Sequence, residues 1–342
     1  MQLLDLALAA LPASAGLLTF RRVPSGEWDF VYDDNHNFVD ILEISHERVR
    51  WYFTEAMVLG VYEPMSLTFK ALFVFCFGWD PAAFHLLALA LHATNAALAF
   101  LLGRSLLELL RPLPANSGSL GRALGCAMGA SLFACHPGAV QTVCWVSCLP
   151  YVFAALFSQL CLLSLLRAVR GAAAKGCARR WALLFWRPAS SLLGVVALLC
   201  KTAALPLVAV LCAVEFASMS RGCGESSTLL RRLVPRRALL AVLKQCVTLA
   251  VGLGVLWKGT GGYHLEELVR LSSRDTLLRA CFLLVLYPAK IADPWHDFNV
   301  MQAMPYDGLQ SVITRCWLCA GLVAVGAAWA ARGVLLALDT SP

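Results

Sequence analysis

Two adjacent carboxylates, Asp33 and Asp34, are the residues of this chain best placed to do chemistry. They stand in its most acidic stretch, with Glu27, Asp29, Asp40, Glu43, Glu47, Glu55 and Glu63 around them and only Arg48 and Arg50 opposed. The chain as a whole carries +7. A carboxylate can take the proton from a hydroxyl as it attacks, and a cation can hold the anionic group that leaves. Lys201, set between two apolar runs, and His136, in the turn-forming pair His136-Pro137, are the candidates for the second task. A lysine so placed must reach either water or an anion, and both readings are open. Asp33, Asp34 and His36 could offer ligands to a hard cation, but three near-adjacent ligands rarely complete a site, and no metal is predicted. The stretch Asp33-Asp34-Asn35-His36-Asn37 also reads as a solvated turn.

The elements that must position these groups are apolar. Hydrophobic residues make up 59% of the chain and charged residues 14%, with a mean hydropathy of +0.70. Soluble domains hold about 45–50% and about 25% respectively, so the composition points to an all-α, polytopic membrane protein. A spanning helix needs roughly 20 apolar residues. Runs that approach this are expected at about 3–20, 83–103, 121–139, 147–168, 181–199, 202–218, 238–257, 276–291 and 313–337. That gives a bundle of about 8–10 membrane helices in a single domain, 1–342. Residues 3–20 read as a first span rather than a cleaved leader, because no basic segment precedes them. The stretch 64–79 is too short to span and contains Lys70, so it is expected to lie at the interface or re-enter.

Charge orients the bundle. Arg104, Arg111 and Arg122 mark one connection, Arg167 to Arg187 a second, and Arg221 to Lys244 a third. Together they hold more than half of the 28 basic residues, which places these loops on the cytoplasmic side. The acidic loop 21–63, the His136-Pro137 turn and Lys201 then share the opposite face, where Asp33-Asp34, His136 and Lys201 can meet. The basic clusters serve topology and anionic lipid; without a reading module they do not imply nucleic acid. Most of the 14 cysteines fall in apolar runs, where a thiol packs as a small hydrophobe. A bridge from Cys144 or Cys148 to Cys135 is conceivable. His85, His92 and Asn95 form a polar stripe on one helix face, expected to hydrogen-bond neighbouring helices.

The order of several short segments carries a resemblance. Phe30-Val31-Tyr32-Asp33-Asp34 is followed by Pro64-Met65-Ser66-Leu67-Thr68-Phe69, Gly78-Trp79-Asp80-Pro81 and Phe84-His85-Leu86. Then come Leu91-His92-Ala93, Leu132-Phe133-Ala134-Cys135-His136-Pro137, Trp145-Val146, Lys201 and Leu205-Pro206. Over roughly 20–220 this resembles the membrane half of the transmembrane and tetratricopeptide-repeat O-mannosyltransferases, within the GT-C glycosyltransferase superfamily. The resemblance implies a GT-C-like bundle with its site at the lumenal face, in the endoplasmic reticulum of a eukaryote. It implies a dolichyl or polyprenyl phosphate mannose donor and a protein Ser or Thr hydroxyl as acceptor. Asp33 or Asp34 would be the base, with His136 and Lys201 near the donor phosphate.

The chain also departs from that pattern. Gln141 stands where relatives carry Glu, Ser147-Cys148-Leu149-Pro150 where they carry an Arg-containing charged stretch, and Glu63-Pro64 where they carry Arg-Pro. The tetratricopeptide repeats are absent from the sequence. The alternative expectation is therefore a catalytically inactive GT-C-like membrane protein that binds a partner or a polyprenyl lipid.

Overall fold

The helices begin and end where local chemistry requires it. The structure, a computed structural model, describes residues 3–23, 29, 30, 34, 44–55, 61–110, 119–173, 176–221, 247, 248, 250–252, 254, 255 and 258. Helix α1 is Leu3–Thr19. A short turn at His46–Arg48 leads into α2, Val49–Thr54. Helix α3, Pro64–Phe77, starts on a proline at its first turn, where the missing N–H costs nothing. It stops at Gly78, whose φ of 70° suits glycine and whose N–H bonds Val74 O at 2.7 Å.

Helix α4, Pro81–Leu110, follows directly. Asp80 caps it by accepting from Ala82 N at 3.0 Å. Its 30 residues span about 45 Å. Then come α5, Ser119–Cys135, ended by His136-Pro137; α6, Ala139–Cys144; and α7, Leu149–Ala173. The chain continues through α8, Cys177–Trp181, a π-helical turn at Ala182–Trp186, α9 at Arg187–Cys200, and α10 at Leu207–Arg221. No strand occurs among the described residues.

Helix α7 packs against α9 and α4, and α1 lies against α4 and α5. Side-chain contacts show α4 running antiparallel to α1 and α5 and parallel to α7. At one end Asp5 meets Arg104 at 3.1 Å, Arg170 meets Glu108 at 2.7 Å, and the Arg170 guanidinium donates to Ser105 O. Toward the other, Thr19 Oγ1 donates to Cys135 Sγ at 3.2 Å. His92 Nε2 bonds Ala134 O at 2.9 Å, and Asn95 Nδ2 donates to Val152 O at 3.1 Å. His92 and Asn95 thus join α4 to α5 and α7, as the spacing of the stripe predicts, whereas His85, its third member, makes no such bond among the described residues. The core between these helices holds Leu67, Phe84, Leu149, Leu165 and Leu198, all fully buried.

Three stretches are long and apolar enough to cross a membrane: Pro81–Leu110, Val146–Ala172 and Arg179–Cys200. They coincide with the expected spans at 83–103, 147–168 and 181–199. Large apolar side chains point away from the protein on these and neighbouring helices, with Leu132 72% exposed and Leu184 77% exposed. Such a surface suits hydrocarbon rather than water. The segments expected at 3–20, 121–139 and 202–218 are apolar helices of fewer than 18 residues, as is α3. The expected spans at 276–291 and 313–337, and most of 238–257, lie outside the described residues. So does most of the acidic loop 21–63. The conceivable bridge from Cys135 to Cys144 or Cys148 is not formed.

Candidate functional site

Asp34 is reached from the start of the second long apolar stretch in the fold. The turn Val146–Cys148 leads into α7; Cys148 N–H bonds Trp145 O at 3.0 Å, while Ser147 N–H, at the start of the turn, needs an acceptor from elsewhere. Asp34 fills that need: its Oδ1 accepts from Ser147 N at 2.7 Å and from Ser147 Oγ at 2.6 Å. It is fully buried. A carboxylate at a helix N-terminus is favoured by the helix dipole, so this contact anchors the acidic loop to the bundle across 113 residues of chain. Asp33 lies outside the described residues, as does His36.

Lys201 ends α9. Its backbone is extended, and its Nζ turns to Glu63 Oε2 at 2.9 Å and over the Tyr151 ring at 4.9 Å. Glu63 is 3% exposed at its side chain and Lys201 16%. Burial works to remove the lysine's proton, but the Glu63 charge, Tyr151 and the Glu63 hydrogen bond outweigh it. Lys201 therefore holds its proton above the ordinary lysine value.

Lys70, on α3 two turns after Glu63, is within electrostatic reach of Glu63, Lys201 and Asp34. It is buried, and burial pulls its amine from 10.5 down to about 8. Glu63 and Asp34 act on it in the opposite sense, while Lys201 adds to the lowering. Lys70 is thus the electrostatic centre of a cluster of two carboxylates and two amines. The cluster is drawn from the acidic loop, α3, the start of α7 and the end of α9.

Two further groups border this cluster. His85, in the second turn of α4, is fully buried and within electrostatic reach of Asp34. The Asp29 backbone lies near its ring, yet neither ring nitrogen makes a hydrogen bond. Ser66, fully buried on α3, also has a hydroxyl without a hydrogen-bond partner. His136 is half-buried on the turn between α5 and α6, where its Nδ1 accepts from Gly138 N at 3.0 Å. That bond belongs to the turn itself. The structure therefore brings Asp34 and Lys201 together around Lys70, and places His136 on the turn between α5 and α6.

Comparison with family models, curated proteins and solved structures finds no match for this chain. The chemistry must therefore be read from the cluster. It offers a buried carboxylate, two amines of unequal proton affinity, and hydrogen-bonding groups awaiting partners. Among the described residues, no group of three or more His, Cys, Asp or Glu is arranged to hold a metal ion.

Three members of the cluster were not singled out by sequence. Glu63 stood as the replacement of an expected arginine, Lys70 as a break in an apolar run, and Ser147 as part of an uncharged stretch. One signal could have found the first two. A lysine inside apolar sequence requires an anion nearby, and Glu63 lies within two helical turns of Lys70.

Proposed function

We propose that the chain is a multi-pass membrane glycosyltransferase of GT-C type. In this reading it moves a sugar, mannose in the first instance, from a polyprenyl or dolichyl phosphate to a protein Ser or Thr hydroxyl. In a eukaryote it would work at the lumenal face of the endoplasmic reticulum membrane. One observation carries the reading: the buried carboxylate of Asp34 acts on the buried amine of Lys70, which Glu63 and the half-buried Lys201 also reach, at one end of the apolar helices.

In the reaction the acceptor oxygen forms a bond to the anomeric carbon as its proton passes to the Asp34 carboxylate. The bond from that carbon to the phosphate oxygen breaks, and the polyprenyl phosphate departs with the electron pair. Lys201 and Lys70 balance the charge that builds on the leaving oxygen. Asp33 keeps its place as the alternative base, and His136 as an outer contact for the donor.

The experiment is transfer of labelled mannose from dolichyl phosphate mannose by the purified protein in nanodiscs, beside Asp34→Asn. The variant can still accept from Ser147, so its fold should lose only about 1–2 kcal/mol, while its rate should fall by about 10²–10⁴-fold. Equal rates would remove Asp34 as the base.

A second reading has its own observation in favour. Lys201 is already matched by Glu63, and Asp34 by Ser147, which suits a protein that binds a polyprenyl lipid or partner without turnover. Donor lipid that binds saturably and is never consumed, with any acceptor peptide, would favour it.

A further inference from the structure

Among the described residues, the ring nitrogens of His85 and the hydroxyl of Ser66 are buried polar atoms with no hydrogen-bond partner. In a folded protein such atoms are rare, because each forfeits its hydrogen bonds to water and gains nothing in return. Their positions are related. Ser66 and Lys70 are four residues apart on α3 and so share one face. His85 is within reach of Asp34, which in turn acts on Lys70. Both sets of orphaned atoms therefore flank the same charged cluster from neighbouring helices.

Their chemistry narrows what could satisfy them. A neutral imidazole offers one donor and one acceptor, and a serine hydroxyl can do both. A phosphate only accepts, and the lysines already supply cations for it. A ring with adjacent hydroxyls both gives and takes hydrogen bonds, as this mixed set requires. We propose that His85 and Ser66 form a hydroxyl-binding subsite beside Asp34, and that its ligand is the sugar ring of a polyprenyl phosphate sugar. This rests on the transferase reading above and adds to it the residues that tell a sugar-bearing lipid from a bare one. A site built to hydrogen-bond a hydroxyl discriminates strongly against a ligand that lacks it, because its polar groups are then left without partners.

The test uses the whole protein in nanodiscs with two probes, dolichyl phosphate mannose and dolichyl phosphate, and measures the affinity of each. Wild type is expected to prefer the mannosylated lipid. His85→Leu should cut that preference by about tenfold or more, with the affinity for dolichyl phosphate little changed. Lys201→Met should weaken both probes together. His85→Gln, which keeps a donor and an acceptor, should restore part of the preference that Leu removes.

His85→Leu should also raise the thermal stability of the lipid-free protein, since it removes an unsatisfied buried group. That measurement shows whether the variant folds. A stable His85→Leu protein with unchanged preference would overturn the subsite while leaving the transferase reading in place; the two groups would then be served by buried water. Wild type that binds neither probe would overturn the transferase reading, and this subsite with it.

Discussion

Replacing Lys201 with methionine removes the cation from a buried ion pair and leaves Glu63 in a site where its side chain is 3% exposed. At 2.9 Å and an effective dielectric constant of about 20, the direct attraction is about 6 kcal/mol. Desolvation of both groups offsets much of that, and losing one partner of a buried pair typically costs about 3–5 kcal/mol. Here the lower end is expected. Lys70 already acts on Glu63, and in the variant it no longer faces a second cation, so it takes over part of the role. We expect Lys201→Met to destabilise the protein by about 3 kcal/mol and Glu63→Gln by a similar amount. The double variant should lose less than the sum, with a coupling of at least about 2 kcal/mol. Denaturant unfolding in mixed micelles, followed by tryptophan fluorescence, gives all three values. Losses that add to within about 0.5 kcal/mol would refute the pairing as an energetic feature.

Lys70 gives a pH signature. Its amine is pushed from 10.5 down to about 8, so between those values the unfolded chain binds a proton that the folded protein does not. Stability should therefore rise from pH 8 to 10.5, by up to about 3 kcal/mol. Wild type compared with Lys70→Met over that range checks it, and the rise should vanish in the variant. The Lys201–Glu63 pair, whose lysine titrates higher, persists through the same window and is lost only above it.

At the opposite end of the helices, Arg187 holds the buried Glu215 by two bonds of 2.9 and 3.2 Å. Arg187→Lys keeps the charge but not the fork, and should cost about 1–2 kcal/mol. Arg187→Leu, which strands the carboxylate, should cost about 3–5 kcal/mol. Thermal unfolding in nanodiscs ranks the two, and equal losses would show that the fork itself contributes nothing.

Local chemistry was legible in the sequence and distant pairing was not. Pro64, Gly78 and Asp80-Pro81 announce where α3 ends and α4 begins, because each acts on its own backbone. His136-Pro137 marks the end of α5 in the same way. The stripe of His92 and Asn95 was readable because helical spacing alone puts both residues on one face. By contrast, Asp34 finds Ser147 across 113 residues and Glu63 finds Lys201 across 138. Nothing in either local pattern names the other partner. Glu63 was read as the loss of a cation, when it is the counter-charge of a cation supplied from elsewhere.

That separation along the chain has a consequence for how the protein is made. At roughly 5–20 residues per second, Glu63 leaves the ribosome about 7–28 s before Lys201 does. During that interval Glu63 has Lys70 as its nearby counter-charge but lacks Lys201. Helix α3 therefore cannot complete its charge pairing until α9 has been made. The acidic loop is in the same position, because Asp34 has no helix end to cap before α7 arrives. The charged cluster thus cannot close until α9 has been made, although two of its members, Glu63 and Lys70, are made long before it.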